Sequence, residues 1–475
     1  METWVEEWLK GQRKDGVKRL EIKRSNNAYY VYESTTIWDK IAKKRRKRSA
    51  YIGKLDREKG VIKSSRTVVS KIFPRSVWRY GDALLLNKAL EPISLLLEES
   101  FGDVWEELYA MALVRILGYT PLKRIRLRWN KLFNVMKIEP MLEPTHLSDI
   151  LRIAGTDRNA QRKLFSALMG GEHFAYDLTT VTTRSTAMNI ADIGYNRYGE
   201  YLPQLNVILL TSVDDNLPSM IRVIPGSIRD VSTLKTSLED VDMAKLTLVM
   251  DRGFFSEDNM EELIDNKVNF IVPARRNSKL YGIAKRKLIG HFFYRNRLIK
   301  CRKTIFGKKI LYLFEDTKMR EEEEKTLYKL ADTGARSKED FAAAIKKVGR
   351  ILLVSNKNTN EKKIFGSWKQ REGVEQNFDT FKTTLQSDIL YLQDDESVFG
   401  HIFVAFLSLY GYCALQNMLR AADLLDKVSP LDLLEEFSSV YAIGDGERII
   451  ITEVPKKVRE FDSMLKTNLF PKTQS

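Results

Sequence analysis

From Glu172 onward the chain changes its hydrophobic period, and the order of the elements that follow restricts the fold more than any other feature. HFAYDLTTV, PQLNVILLTS and LPSMIRVIPGS are short runs rich in β-branched, aromatic and other apolar residues. Turn residues separate them (Gly199, Asp214, Asp215, Asn216), so they read as three strands in succession. A helix expected from about Val231 leads to a fourth strand, KLTLVMD, and another from Ser256 leads to a fifth, VNFIVPA. Three consecutive strands followed by two helix and strand units make an α/β core, a mixed five-stranded sheet with helices on its faces.

The segment from Glu361 to Leu385, EKKIFGSWKQREGVEQNFDTFKTTL, has two Gly and no Pro and reads as one helix. At about 100° per residue, Trp368, Arg371, Glu375 and Lys382 fall within roughly 60° of arc. Val374, Phe378, Phe381 and Leu385 form an apolar face along one edge of that stripe. By itself such a stripe describes a solvated helix flank, whose Arg371 to Glu375 pair is worth a few tenths of a kcal/mol.

The spacing Trp368-x2-Arg371-x3-Glu375-x6-Lys382 resembles the Tyr-x2-Arg-x3-Glu-x6-Lys signature of bacterial and archaeal insertion-sequence transposases of the IS-four type. Trp368 stands where that family usually has Tyr. The resemblance implies a ribonuclease-H-like catalytic core and a DDE metal site with Glu375 as its third carboxylate. Two Asp at strand ends should precede it. Asp177 closes the first expected strand and Asp251 the fourth, where Asp-Arg-Gly-Phe is similar to the family's second catalytic motif. An Asp after a strand is ordinarily a turn residue or helix cap, so the order of all three carries the reading rather than any one of them.

Clustered carboxylates repel unless cations lie between them, and hard oxygen ligands suit Mg2+ or Mn2+, here two ions. Trp368, Arg371, Lys382, Arg252, Arg275 and Arg276 are the expected DNA contacts around them. The implied reaction is cleavage at the ends of a mobile element and joining of the 3′ ends to a target. The implied partners are double-stranded DNA, as inverted repeats and target, and further copies of the chain in a homodimer or larger synaptic complex. Two alternatives use the same residues: a nuclease or resolvase of this fold without strand transfer, and a non-cutting DNA-binding protein derived from a transposase. The four His are scattered; His173, four residues before Asp177, reads as an ordinary strand residue.

Charge supports a polyanion partner. The formal net charge is +15, yet residues 1 to 80 hold 22 Lys/Arg against 9 Asp/Glu and residues 271 to 310 hold 13 against none, so the remainder is net acidic. Concentrated basic segments on an acidic remainder point to nucleic acid. The densest run is Lys43, Lys44, Arg45, Arg46, Lys47 and Arg48. These observations divide the chain into a basic β-rich DNA-binding arm (1–80), whose Tyr29, Tyr30, Tyr32 and Trp38 are expected as a small core ahead of the alternative that they pack on DNA, and a helical DNA-end-binding domain (81–170). The catalytic core (171–275 and 351–421) follows, interrupted by an insertion with a basic β part and a charged helical part (276–350), and a tail of mixed character (422–475) ends the chain. Two Cys without a CxxC give neither a disulfide framework nor a zinc site. The start lacks a signal-peptide core, and the apolar run Val398 to Leu415 reads as a buried helix rather than a membrane span. A cytoplasmic location on DNA is expected.

Overall fold

The computed structural model describes residues 2–15, 17, 19–25, 28–39, 44–63, 75–183, 185, 188–195, 201–226, 246–284, 288–333, 338–385, 389–390, 392, 394–445 and 448–471. The chain divides into two units, Met1–Pro74 and Arg75–Ser475.

In the smaller unit a helix, α1 (Thr3–Lys14), precedes four antiparallel strands in the order β1-β2-β3-β4: β1 (Leu20–Ser25), β2 (Ala28–Asp39), β3 (Lys44–Asp56) and β4 (Gly60–Lys63). Trp4, Val5 and Trp8 of α1 pack with Tyr29, Val31 and Leu55 of the sheet. Strand alternation sends neighbouring side chains to opposite faces, which corrects the expected aromatic core: Tyr29 is buried, Tyr30 and Tyr32 stand against Tyr51, and Trp38 is 59% exposed. The basic cluster is itself part of a strand. Lys44 to Arg48 lie within β3, paired from Asp39↔Lys44 to Thr35↔Arg48, because the β-favouring run Thr35 to Trp38 prolongs the hairpin. Lys43 and the side chain of Arg46 lie outside the described residues.

The larger unit begins with β5 (Ser76–Arg79) and the helices α2 (Gly81–Phe101), α3 (Trp105–Ile116), α4 (Leu122–Trp129), α5 (Pro144–Thr156) and α6 (Arg158–Leu168). The sheet follows with β6 (His173–Thr183), β7 (Asp192–Tyr195), β8 (Tyr201–Ser212), β9 (Pro218–Pro225), β10 (Thr247–Met250), α7 (Glu257–Asp265) and β11 (Asn269–Pro273). The helix expected from Val231 lies outside the described residues. After the short α8 (Leu280–Ile283) come β12 (Gly290–Tyr294), β13 (Arg297–Phe306), β14 (Lys309–Asp316), α9 (Thr317–Asp332), α10 (Lys338–Ile345) and β15 (Arg350–Ser355). Then α11 (Glu361–Asp379), β16 (Ile389–Leu390) and α12 (Asp395–Ala421) lead to α13 (Pro430–Phe437), β17 (Tyr441–Gly444), β18 (Ile449–Ile451) and α14 (Lys456–Leu465).

Among the described residues eleven strands form one mixed sheet, β12-β13-β14-β15-β11-β10-β6-β8-β7, with β9 on β8 and β16 on β6. The five-stranded expectation is therefore corrected. The strands of the supposed insertion continue the sheet, because β14 is buried at every position and needs hydrogen-bond partners along both edges. A further strand, β7, pairs antiparallel with β8. The tail also gains a place: β17 pairs β5, so residues 76–79, assigned to the arm on sequence, belong to a three-stranded sheet with the C-terminal hairpin.

One apolar core joins the helices to the sheet. Its axis is α12, long and apolar enough to cross a bilayer by length and composition, with 83% of its most apolar window buried inside the protein. Gly155 of α5 and Gly400 of α12 let these two backbones touch, since a Cβ on Gly400 would stand within 2.7 Å of Leu151 Cα.

Candidate active site

β6 and β10 are parallel neighbours, in register as far as Met250↔Tyr176. Asp177 and Asp251 are the next residue of each chain, so the register brings the two carboxylate-bearing positions to one end of the same strand pair. Asp177 does not close its strand as expected. The β-branched TTVTT run carries β6 on to Thr183 against β8, and Asp177 marks instead the point where its parallel neighbour stops. The Asp177 carboxylate accepts the Leu178 N–H at 2.9 Å. Asp251 follows the last residue of β10 and precedes the 3-10 turn Arg252–Phe254, but its side chain makes no capping hydrogen bond. It is held from the side, with Arg371, a residue 7% exposed, donating from Nη2 to Oδ1 at 3.5 Å.

The helix that delivers Arg371 is braced at its other end. Lys363 Nζ donates to Glu172 at 3.0 Å, and Lys357 also pairs with Glu172; Lys357 first and Lys363 second hold that carboxyl down at about 2. Glu172 precedes β6 and Asp251 follows β10, so α11 starts beside the beginning of the parallel pair and reaches its carboxylate end at Arg371. Glu375 lies one turn further along α11, about 6 Å of rise. Its side chain is outside the described residues, as are those of Val374 and Phe378. Phe381 and Leu385 are buried as the apolar face requires.

The helix does not continue unbroken to Leu385. Its α-geometry ends at Asp379, and Thr380–Thr384 form a π turn. The wider turn moves Lys382, half-buried, off the α-helical wheel that grouped it with Arg371. Trp368 is half-buried on the second apolar cluster of the sheet, 5.9 Å from the Phe365 ring centroid with Lys369 Nζ 4.7 Å over its own ring. Arg252 and Arg275 are exposed, each just past the carboxylate end of a strand. Arg276 is committed within the protein: it pairs with Glu323 of α9, and its carbonyl accepts from Lys347 at 2.9 Å. His173 is a buried strand residue, its pKa lowered by burial.

A brace that the sequence does not signal closes the far end of the π turn. Arg115 of α3, 5% exposed, donates from Nε at 3.1 Å and Nη2 at 2.9 Å to the carbonyl of Leu385. Its Nη1 lies 3.1 Å from His401 Nε2 on α12. Arg has only donors, so Nε2 accepts and His401 is the neutral, Nδ1-protonated tautomer. Burial, and then the Arg115 charge, push its pKa well below 6.5. The unfolded chain takes up a proton below about 6.5 where the folded chain does not, so this contribution to stability is present above that pH and is lost as pH falls. The melting temperature is expected to drop between pH 7.5 and 5.5, and His401→Gln, which still accepts from Arg115, to drop less.

The donor set fits a hard divalent cation: two carboxylates at adjoining strand positions, with both Cys buried elsewhere in the protein. Among the described residues no three His, Cys, Asp or Glu side chains gather as a metal-ligating group, and the Glu375 side chain is not one of them.

A family model described as a transposase DDE domain matches residues 169–410, just over half of the chain. No curated protein matches. Among solved structures the chain resembles a piggyBac transposase in a synaptic complex with hairpin DNA, at 11% identity and a TM-score of 0.35, over 82% of this chain and 72% of that one. The matched residues run from four positions before β6 to the middle of α12 and so include Asp177, Asp251 and all of α11. This chain belongs to the DDE transposases, metal-dependent enzymes that cut DNA and join its strands.

Proposed function

We propose that this DNA transposase serves an insertion sequence and is of the IS-four type, with Trp368, Arg371, Glu375 and Lys382 as its signature. The observation that carries the reading is the register of β6 and β10, which sets Asp177 beside Asp251, together with the Arg371 guanidinium against Asp251. The strand order β9-β8-β6-β10-β11, antiparallel across the first three and parallel across the last three, supports a ribonuclease-H-like core inside the larger sheet.

In this reading Asp177, Asp251 and Glu375 hold two Mg2+ or Mn2+ ions. When bound, such ions activate a water or a 3′-hydroxyl as nucleophile and stabilise charge on the leaving oxygen. Arg371 steadies a phosphate beside Asp251, where a guanidinium can grip two oxygens at once. Lys382, Arg252 and Arg275 add positive charge around the same strand ends. The helices of 81–170 and the basic residues of 1–80 hold the element's inverted repeats, two copies of the chain or more bring two ends together, and the reaction takes place on DNA in the cytoplasm.

The test is cleavage and joining of a duplex that carries the DNA flanking this gene. Nicked ends and joined products should form with Mg2+ or Mn2+ and be absent with chelator. Cleavage without joining would make the protein a nuclease in practice, and binding without cleavage would make it a non-cutting relative.

Trp368 offers a narrower check. Base-aromatic stacking is worth about 1 to 3 kcal/mol. Trp368→Phe, which keeps a ring on Phe365, should preserve cleavage, and Trp368→Ala should slow it by about tenfold. Normal cutting by the Ala variant would leave Trp368 with packing alone.

A further inference from the structure

The β2 and β3 strands outrun the rest of their sheet. β1 pairs β2 over Ala28 to Glu33 and β4 pairs β3 over Gly53 to Asp56. Beyond these, Ser34 to Asp39 lies against Lys44 to Ser49 as a two-stranded ribbon, about 20 Å long at the usual rise per residue.

The register sorts its side chains into two rows. On the face opposite α1, from root to tip, Tyr32 stands across from Tyr51, Ser34 from Ser49, Thr36 from Lys47 and Trp38 from Arg45. The other row holds Thr35 across from Arg48 and, nearer the tip, Lys44. Lys44, Arg45, Lys47 and Arg48 are all exposed. The acid beside the first row is neutralised within the sheet, since Glu21 accepts from Lys47 at 2.8 Å and from Ser34 at 2.5 Å.

Three aromatic rings of this face are already occupied, and Trp38 stands exposed as a single ring near the tip. Lys23 Nζ sits 4.8 Å over Tyr32, and Tyr51 meets Tyr32 at 5.4 Å and Tyr30 at 6.1 Å. A stacking platform for single strands needs several free ring faces in succession. What remains is a narrow basic ribbon with small hydroxyls along its middle, and the major groove of B-DNA admits a two-stranded ribbon.

We propose that this ribbon seats its first row in the major groove of duplex DNA. Arg45, Lys47 and Thr36 face base edges, Lys23 and Lys54 flank the groove at the ribbon's root, and Lys44 and Arg48 point away. The proposal rests on the reading that the N-terminal basic residues bind the element's ends, and it divides their cluster by face.

The experiment uses the full-length protein with a duplex from the DNA flanking its gene and a scrambled duplex of equal length. Arg45→Gln with Lys47→Gln, and Lys44→Gln with Arg48→Gln, remove the same charge from opposite faces. The first pair is expected to weaken binding to the flanking duplex by about tenfold or more and the second by less than about threefold, as one lost bidentate base contact would predict. Dimethyl sulfate protection at guanine N7, a major-groove atom, should appear with wild type and vanish with the first pair.

Equal losses from both pairs, tighter binding to single strands, or protection confined to adenine N3 in the minor groove would overturn the proposal while leaving a DNA-binding arm. Unchanged binding by both pairs would overturn the arm reading with it. Melting curves accompany each variant; if the first pair melts early, Arg45→Gln alone, which keeps Lys47 on Glu21, gives the same reading.

Discussion

Asp177→Asn and Asp251→Asn should each slow DNA cleavage by about three orders of magnitude or more, equivalent to about 4 kcal/mol of barrier, and leave binding to the flanking duplex within a few fold. Each change removes one anionic oxygen from the shared end of β6 and β10 without altering side-chain size. In the proposed arrangement DNA affinity comes from basic groups elsewhere, so it should survive. Asp251→Asn also weakens the partner of Arg371, and Arg371→Lys, which keeps the charge but loses the planar fork, should fall between the wild type and the Asn variants. Glu375→Gln is expected to match the two Asn variants. Near wild-type cutting by any of the three in Mg2+ would remove that residue from the proposed metal site. Loss of binding together with cutting would show that the carboxylates act through the fold rather than through the reaction.

The largest effect on stability is expected at the crossing of α5 and α12. Gly400→Ala would drive a methyl group into the Leu151 backbone, and Gly155→Ala would bring one within 2.8 Å of Gly400 N and against the Glu396 carbonyl. Neither obstacle is a flexible side chain, so the helices must separate. Overpacking of this kind typically costs 1 to 3 kcal/mol and occasionally more, and both positions should reach about 3. Thermal melting reads the cost. Because α12 also packs on α2, α3 and β9 through the same core, spreading it from α5 should also lower cleavage at temperatures well below the midpoint. A Gly400→Ala variant that melts like the wild type would show that the two helices can slide apart without loss.

By itself the sequence determined the elements whose signal is local. The strands around Tyr176, Leu209, Ile221, Val249 and Ile271 were legible because each is a short β-favouring run between turn residues, and the helices of 81–170 because their apolar residues recur at helical spacing. Asp177, Asp251 and the Trp368 to Lys382 spacing stood out only through their resemblance to a family pattern. The tertiary structure decided what depends on pairing between distant segments. Asp177 is the end of a strand pair and not of a strand, a distinction that exists only once β10 stops beside it. β12 to β14 read as an interruption because a strand does not announce its neighbour, and pairing on β15 turned them into a continuation of the sheet. The same holds for β5 with β17, more than 350 residues apart, and for Arg115 with Leu385, at a separation of 270. The π turn at Thr380 was invisible for another reason: a regular 100° wheel assumes the α-helical hydrogen bonds that are replaced there. Local propensity and spacing thus named the elements and the candidate carboxylates, while hydrogen-bond register and buried polar partners, which no local window contains, decided which of them meet.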